Sequence, residues 1–182
     1  LNLLYDILCI VLPWDNVDEE ETLSPRDWSG KTLGRFMMSF GPISSLFDIA
    51  TFLFLYYFLC PMLCGGASYL NITDSSLQLQ YVSLFQTGWF LESMWTQVLI
   101  LHFLRTPKVP FMQSRSSTPV ICITLAGIVA FTAITFTSGA SLFGLTMLPL
   151  WYFAFLVIVA LAYMLLTTVA KYFYKKKYHE LI

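Results

Sequence analysis

Long apolar runs separated by short polar connections make up most of this chain. Five such runs cover residues 1–13, 36–60, 81–104, 119–137 and 148–170. The last four match the roughly 20 residues that a helix needs to cross about 30 Å of hydrocarbon. The first is too short, opens without a methionine and lacks the basic stretch of a signal peptide, so it reads as the second half of a truncated spanning helix. The pattern predicts an all-α polytopic membrane protein, a bundle of about five transmembrane helices with the first truncated. The connection at 14–35 alone has the grammar of soluble protein. There Ser24 reads as an N-cap, Pro25 as the first helical residue and Asp27 as the acidic partner of a capping box, starting a helix that runs into the second span. Gly41-Pro42 predicts a kink near the start of that span.

Composition agrees with the pattern. Apolar residues make up 57% of the chain and charged residues 12%, where soluble domains have about 45–50% and about 25%. The placement of charge then orients the bundle. Every Lys and Arg falls in the first connection (Arg26, Lys31, Arg35), the third (Arg105, Lys108, Arg115) or the tail at 171–182 (Lys171, Lys175, Lys176, Lys177). Alternating helices put those three segments on one side, which the positive-inside rule makes cytoplasmic. The acidic run Asp18-Glu19-Glu20-Glu21 does not oppose this, because acids weigh little in the rule. A multi-pass protein of the plasma membrane is expected, the inner membrane in a bacterium, with its C-terminus in the cytoplasm. Its first partner is the lipid bilayer, which the aromatic and basic tail suits as an interfacial anchor. The basic residues form no single patch, which argues against a nucleic-acid partner.

The cysteines make no metal motif. Cys9 and Cys122 fall within spans, whereas Cys60 and Cys64 flank Pro61 at the outer end of the second, where a disulfide would be feasible in an oxidising compartment. Asn71-Ile72-Thr73 is a glycosylation sequon on the outer side, with meaning only in a secretory pathway.

Three carboxylates change the picture, because Asp6, Asp48 and Glu92 each lie inside an apolar run. An acid at the centre of a spanning helix costs about 2.5–3.5 kcal/mol on the insertion scale, so such residues normally pair, take up protons or bind cations. Asn2 and Asp6 are four apart and share a helical face, so two oxygens point to one spot. Hard divalent cations favour such oxygens, and magnesium prefers one or two carboxylates completed by carbonyls or water. A hydrogen-bonded pair that joins helices would use the same spacing. Asp48 sits among Ser44, Ser45 and Thr51 and suits a polar packing cluster. Glu92 shares a polar stripe with Gly88, Thr96 and Gln86 and suits a site-adjacent or proton-linked role. The candidate metal residues are therefore Asn2, Asp6, Glu92 and Asp48. His102, beside Arg105 and the cytoplasmic border, suits an interfacial or hydrogen-bonding role and not that of a ligand.

These residues also bear a family resemblance. Asn2-Leu3-Leu4-Tyr5-Asp6 followed by Leu12-Pro13-Trp14-Asp15, then Gly34-Arg35-Phe36-Met37, Gly41-Pro42, Ser44-Ser45 and Phe47-Asp48-Ile49, resemble the membrane end of the magnesium-translocating P-type ATPases. Phe85-Gln86-Thr87-Gly88-Trp89-Phe90-Leu91-Glu92, Gln97 and His102-Phe103-Leu104-Arg105-Thr106 are similar to that family's eighth helix and its exit. Pro110-Phe111, Gln113-Ser114-Arg115 and Pro119 continue the match over nearly the whole chain.

The resemblance implies spans six to ten of an ATP-driven cation pump, with residues 1–13 as part of the sixth. It assigns cation ligation to Asn2 and Asp6 and places the loop at 14–35 against the phosphorylation domain. Calcium pumps of the wider group have a Thr directly before the Asp. Tyr5 stands there instead, which disfavours calcium's larger oxygen shell and leaves Mg2+ as the implied ion. The implied parent is an enzyme that forms an aspartyl phosphate from ATP. No Asp-Lys-Thr-Gly, Thr-Gly-Glu or Gly-rich phosphate loop occurs in these residues. The chain alone is therefore expected to hydrolyse nothing, and the cytoplasmic domains and first membrane helices of a parent are its implied partners. The competing classes are a fragment of a secondary transporter or channel that uses the acids as an ion or proton relay, and a structural membrane subunit. No internal repeat supports the carrier.

Overall fold

The computed structural model describes residues 2–16, 30–106, 108 and 114–178. Its main elements are α1 (Asn2–Cys9), α2 (Gly30–Leu63), α3 (Ser75–Leu104), α4 (Thr118–Ile134) and α5 (Leu150–Tyr178), with short 3₁₀ turns at Leu12–Trp14, Tyr69–Asn71 and Ser138–Phe143. The capping box at Ser24, Pro25 and Asp27 and the acidic run lie outside the described residues. Helices α2 and α5 are each long and apolar enough to cross a membrane.

Helices α2, α3 and α5 extend beyond their apolar runs, whereas α4 stops at Ile134, short of the end of its run, because local capping as well as hydropathy sets helix ends. Asp74 starts α3 six residues before the run does: its Oδ1 accepts from the Ser76 amide at 2.9 Å and the Ser76 hydroxyl at 2.8 Å. Pro119 opens α4, where a missing amide costs nothing. Helix α5 continues to Tyr178, its last turn holding Lys175, Lys176 and Lys177 against the negative end of the helix dipole. Helix α2 ends where Gly65 and Gly66 take φ of 76° and 84°, letting the Gly66 amide reach back to the Pro61 carbonyl at 2.7 Å.

Pro42 lies inside α2, which remains helical from Gly30 to Phe54. Farther along, α2 widens into a π-helical stretch at Leu55–Leu59. There the Tyr81 hydroxyl of α3 donates to the Tyr56 carbonyl at 2.6 Å, so the widened turn is tied to its neighbour.

Helix α3 is the centre of the bundle and touches all four others. Its buried residues run from Tyr81 through Leu84, Gly88, Leu91 and Met94 to Val98 and Leu101, at the spacing of three and four that keeps one face inward. The close approach of α2 depends on Gly88, where a Cβ would come within 2.5 Å of Leu55. Contacts along the helices give their directions. Phe36 and Phe40 of α2 meet Tyr174 of α5, while Phe54 stacks on Phe155 at 4.0 Å, so α2 and α5 are antiparallel. Trp95 and His102 of α3 bond Thr132 and Thr124 of α4, again antiparallel. Arg35 lies over the Tyr178 ring at 4.9 Å, and Arg105 and Lys171 meet the ends of other helices there, so all three basic segments reach one end of the bundle.

Cys60 and Cys64 are both buried free thiols, so the feasible disulfide is not formed. They lie four apart where the helix closes, with the Cys64 amide bonded to the Cys60 carbonyl at 2.9 Å, an arrangement set by the backbone.

Candidate functional site

The Asp6 carboxyl is exposed on α1, while the opposite face of that helix is packed. Leu8 lies where a Cβ on Gly127 of α4 would stand, 2.8 Å away, and Val11 joins Leu101 and Val120 in a small apolar cluster. Tyr5 and, one turn on, Cys9 pack against the same cluster. The Asn2 side chain lies outside the described ones.

Asp48 and Glu92 come together. Glu92 is 1% exposed, its Oε2 is buried without a hydrogen-bond partner among the described residues, and it lies beside Asp48 across the α2–α3 interface. The sequence neighbours do not solvate Asp48 as expected. Ser44 bonds the Tyr163 hydroxyl at 2.9 Å, Ser45 bonds the Gly41 carbonyl, and the Thr51 hydroxyl is buried without a partner. Those hydroxyls share the helical face of Asp48 but are spent elsewhere or, for Thr51, unpartnered, so the donors to Asp48 come from α3. Trp89 Nε1 donates to Asp48 Oδ1 at 3.3 Å and the Ser93 hydroxyl at 3.2 Å. Tyr152 of α5 closes the cluster by donating to the Gly88 carbonyl at 2.7 Å.

Asp6 shares no hydrogen bond with Asp48 or Glu92 among the described residues, and no three His, Cys, Asp or Glu side chains there converge as a metal-ligating set. The four candidate residues thus separate into a position on α1 and a carboxyl pair between α2 and α3.

Sequence reasoning missed a third polar group at the closing end of α3. Arg105 and Asp15 form an ion pair at 2.8 Å with side chains 7% and 9% exposed. The second Asp15 oxygen accepts from the Ser117 amide at 2.7 Å, just before α4. His102 is buried and bonds Ser116 through Nδ1 at 2.8 Å and Thr124 through Nε2 at 3.0 Å, so of the two roles expected of it, interfacial or hydrogen-bonding, it takes the second. Lys171, expected as an interfacial anchor, is 4% exposed: its ammonium donates to the carbonyls of Phe103, Thr106 and Lys108. The only sequence signal for the ion pair was an acid and a base at two borders that the topology puts on one side.

Residues 1–173 match the family model described as the C-terminus of cation-transporting ATPases. The chain is 40% identical over 177 residues to "Magnesium-transporting ATPase, P-type 1" of Salmonella typhimurium strain LT2 and, equally, to the protein of that name from Escherichia coli K12. Each alignment covers 97% of this chain and 18% of the relative, so the chain spans under a fifth of the length of the proteins it matches.

Proposed function

The chain belongs to the family of cation-transporting ATPase C-termini, and from that premise we propose that it is the C-terminal membrane part of an ATP-driven magnesium transporter. Its near-complete alignment with proteins named as magnesium-transporting ATPases supports that reading. The observation that carries the site is Asp6, a carboxylate inside an apolar run, exposed on one side of a short helix whose other side is packed. In this reading Asp6 and Asn2 supply oxygens to Mg2+ from that open face, and membrane helices outside this chain supply the rest. The carboxylate charge offsets the ion's loss of water. The basic end of the bundle faces the cytoplasm of a cell whose plasma membrane the protein spans, and the loop at 14–35 meets the ATP-hydrolysing domains there.

The test uses the full-length protein in vesicles. Asp6→Asn is expected to abolish Mg2+-stimulated ATPase activity and transport while leaving the protein folded, and Asn2→Ala to weaken apparent Mg2+ affinity. Normal Mg2+ turnover in Asp6→Asn would remove the site from α1.

A further inference from the structure

A ligand helix must be held along its axis as well as against its neighbours. A shift of one residue moves a helix by about 1.5 Å, whereas a metal site tolerates about 0.2 Å and magnesium demands near-ideal octahedral geometry. The contacts of α1 with α4 do not resist sliding well, since Leu8 on Gly127 and Val11 on Val120 are apolar and non-directional. Directional contacts begin just after the helix. Ile10, Trp14 and Asp15 each bond back three residues, at 3.3, 3.0 and 2.9 Å, so the hydrogen-bonded turns run from α1 to Asp15. Asp15 is then held at both oxygens. Arg105, at the end of α3, donates to Oδ2 and to the Asn16 carbonyl at 3.1 Å, and its other amino group bonds Ser114 at 3.1 Å. The Ser117 amide holds Oδ1.

We propose that Asp15 and Arg105 are positioning residues for Asp6: a buried axial clamp that fixes the height of α1 against α3 and α4 and so sets the affinity and selectivity of the cation site. A buried ion pair contributes little net stability, and its best-attested use is in fixing register, which is the use assigned here. The proposal rests on Asp6 being a cation ligand.

The experiment is a double-mutant cycle in the full-length protein with Asp15→Asn, Arg105→Gln and both together. Asn at position 15 keeps an oxygen for the Ser117 amide, while its NH2 group replaces the oxygen that accepts from Arg105 and so breaks the ion pair. Each single variant is expected to raise the Mg2+ concentration for half-maximal ATPase activity about tenfold, at the low end for partners behind a metal ligand. Maximal turnover should stay within about twofold, and the double variant should be no worse than either single one. Discrimination against Ca2+ should fall in parallel, which a purely structural loss would not produce. Hydrogen exchange over residues 7–16 is followed alongside and should accelerate in both variants. Unchanged Mg2+ affinity in active variants, or additive losses in the double one, would overturn the clamp. Wild-type protein without Mg2+-stimulated turnover would defeat the transport reading instead. In that case exchange over 7–16 still judges the clamp, and an unchanged rate overturns it. Should Arg105→Gln fail to accumulate, Asp15→Asn carries the comparison.

Discussion

The ammonium of Lys171 donates to the carbonyl of Thr106 at 2.7 Å, so the last part of α5 closes the end of α3 sixty-five residues away in sequence. With Phe103 and Lys108 also bonded, one buried cation satisfies a carbonyl in the last turn of α3, which has no intrahelical partner, and two more in the chain just beyond it. Lys171→Met keeps most of the stem and removes the donor. It is expected to destabilise the protein by about 2 kcal/mol, since buried acceptors lose a charged partner, and thermal unfolding in detergent measures the loss.

Gly88 and Leu55 set how closely α2 approaches α3. A Cβ at Gly88 would stand 2.5 and 2.9 Å from the two Leu55 methyl groups, and Leu55 is fully buried. Gly88→Ala should cost about 1–3 kcal/mol of overpacking. Shortening Leu55 to Ala in the same chain should recover part of it. An equal loss in the double variant would show that the clash lies elsewhere.

Asp48 needs its oxygens more than its charge for packing. Asp48→Asn keeps an acceptor for Trp89 and Ser93 and should largely spare folding and transport. Asp48→Leu strands both donors and should cost about 1–3 kcal/mol. Glu92→Gln should give an intermediate loss of transport. Expression-matched vesicle transport ranks the three variants.

The Asp74 cap gives a pH signature. Its carboxylate sits below the ordinary range because the Ser76 amide and hydroxyl both donate to it. A depressed folded-state value means that the contribution is present above the ordinary carboxyl pKa and disappears as pH falls through the lower one. Asp74→Ala should therefore unfold at a lower temperature than the parent at pH 7, and the gap should close below about pH 4.

Sidedness can be read with two exposed positions at opposite ends of the bundle, Ser75 and Arg115. In a background with the four native cysteines replaced, Ser75→Cys should react with an impermeant thiol reagent from outside. Arg115→Cys should react only after permeabilisation. The reverse pattern would invert the orientation and move the loop at 14–35 to the wrong side for meeting ATP-hydrolysing domains.

Much of the architecture was legible along the chain. Hydropathy is a one-dimensional property at the scale of a membrane, so run length alone gave an all-α bundle, and the placement of Lys and Arg gave the three segments that meet at one end. The family was legible too, because ordered motifs such as Asn2 to Asp6 and Phe85 to Glu92 survive in sequence. What tertiary structure decided was partnership. Asp48 looked solvated by Ser44, Ser45 and Thr51 on its own helical face, yet its donors are Trp89 and Ser93, because Ser44 bonds the Tyr163 hydroxyl of α5 and Ser45 turns back to the Gly41 carbonyl. Lys171 resembled every other tail lysine, and only the parallel course of α3 and α5 puts it under the carbonyls of α3. Asp15 and Arg105 were two border charges among many until packing brought them to 2.8 Å. Segment length and local caps are encoded locally, whereas which polar groups pair inside the bundle depends on helix order, direction and register, and these are fixed only when apolar faces such as Gly88 on Leu55 and Leu8 on Gly127 dock.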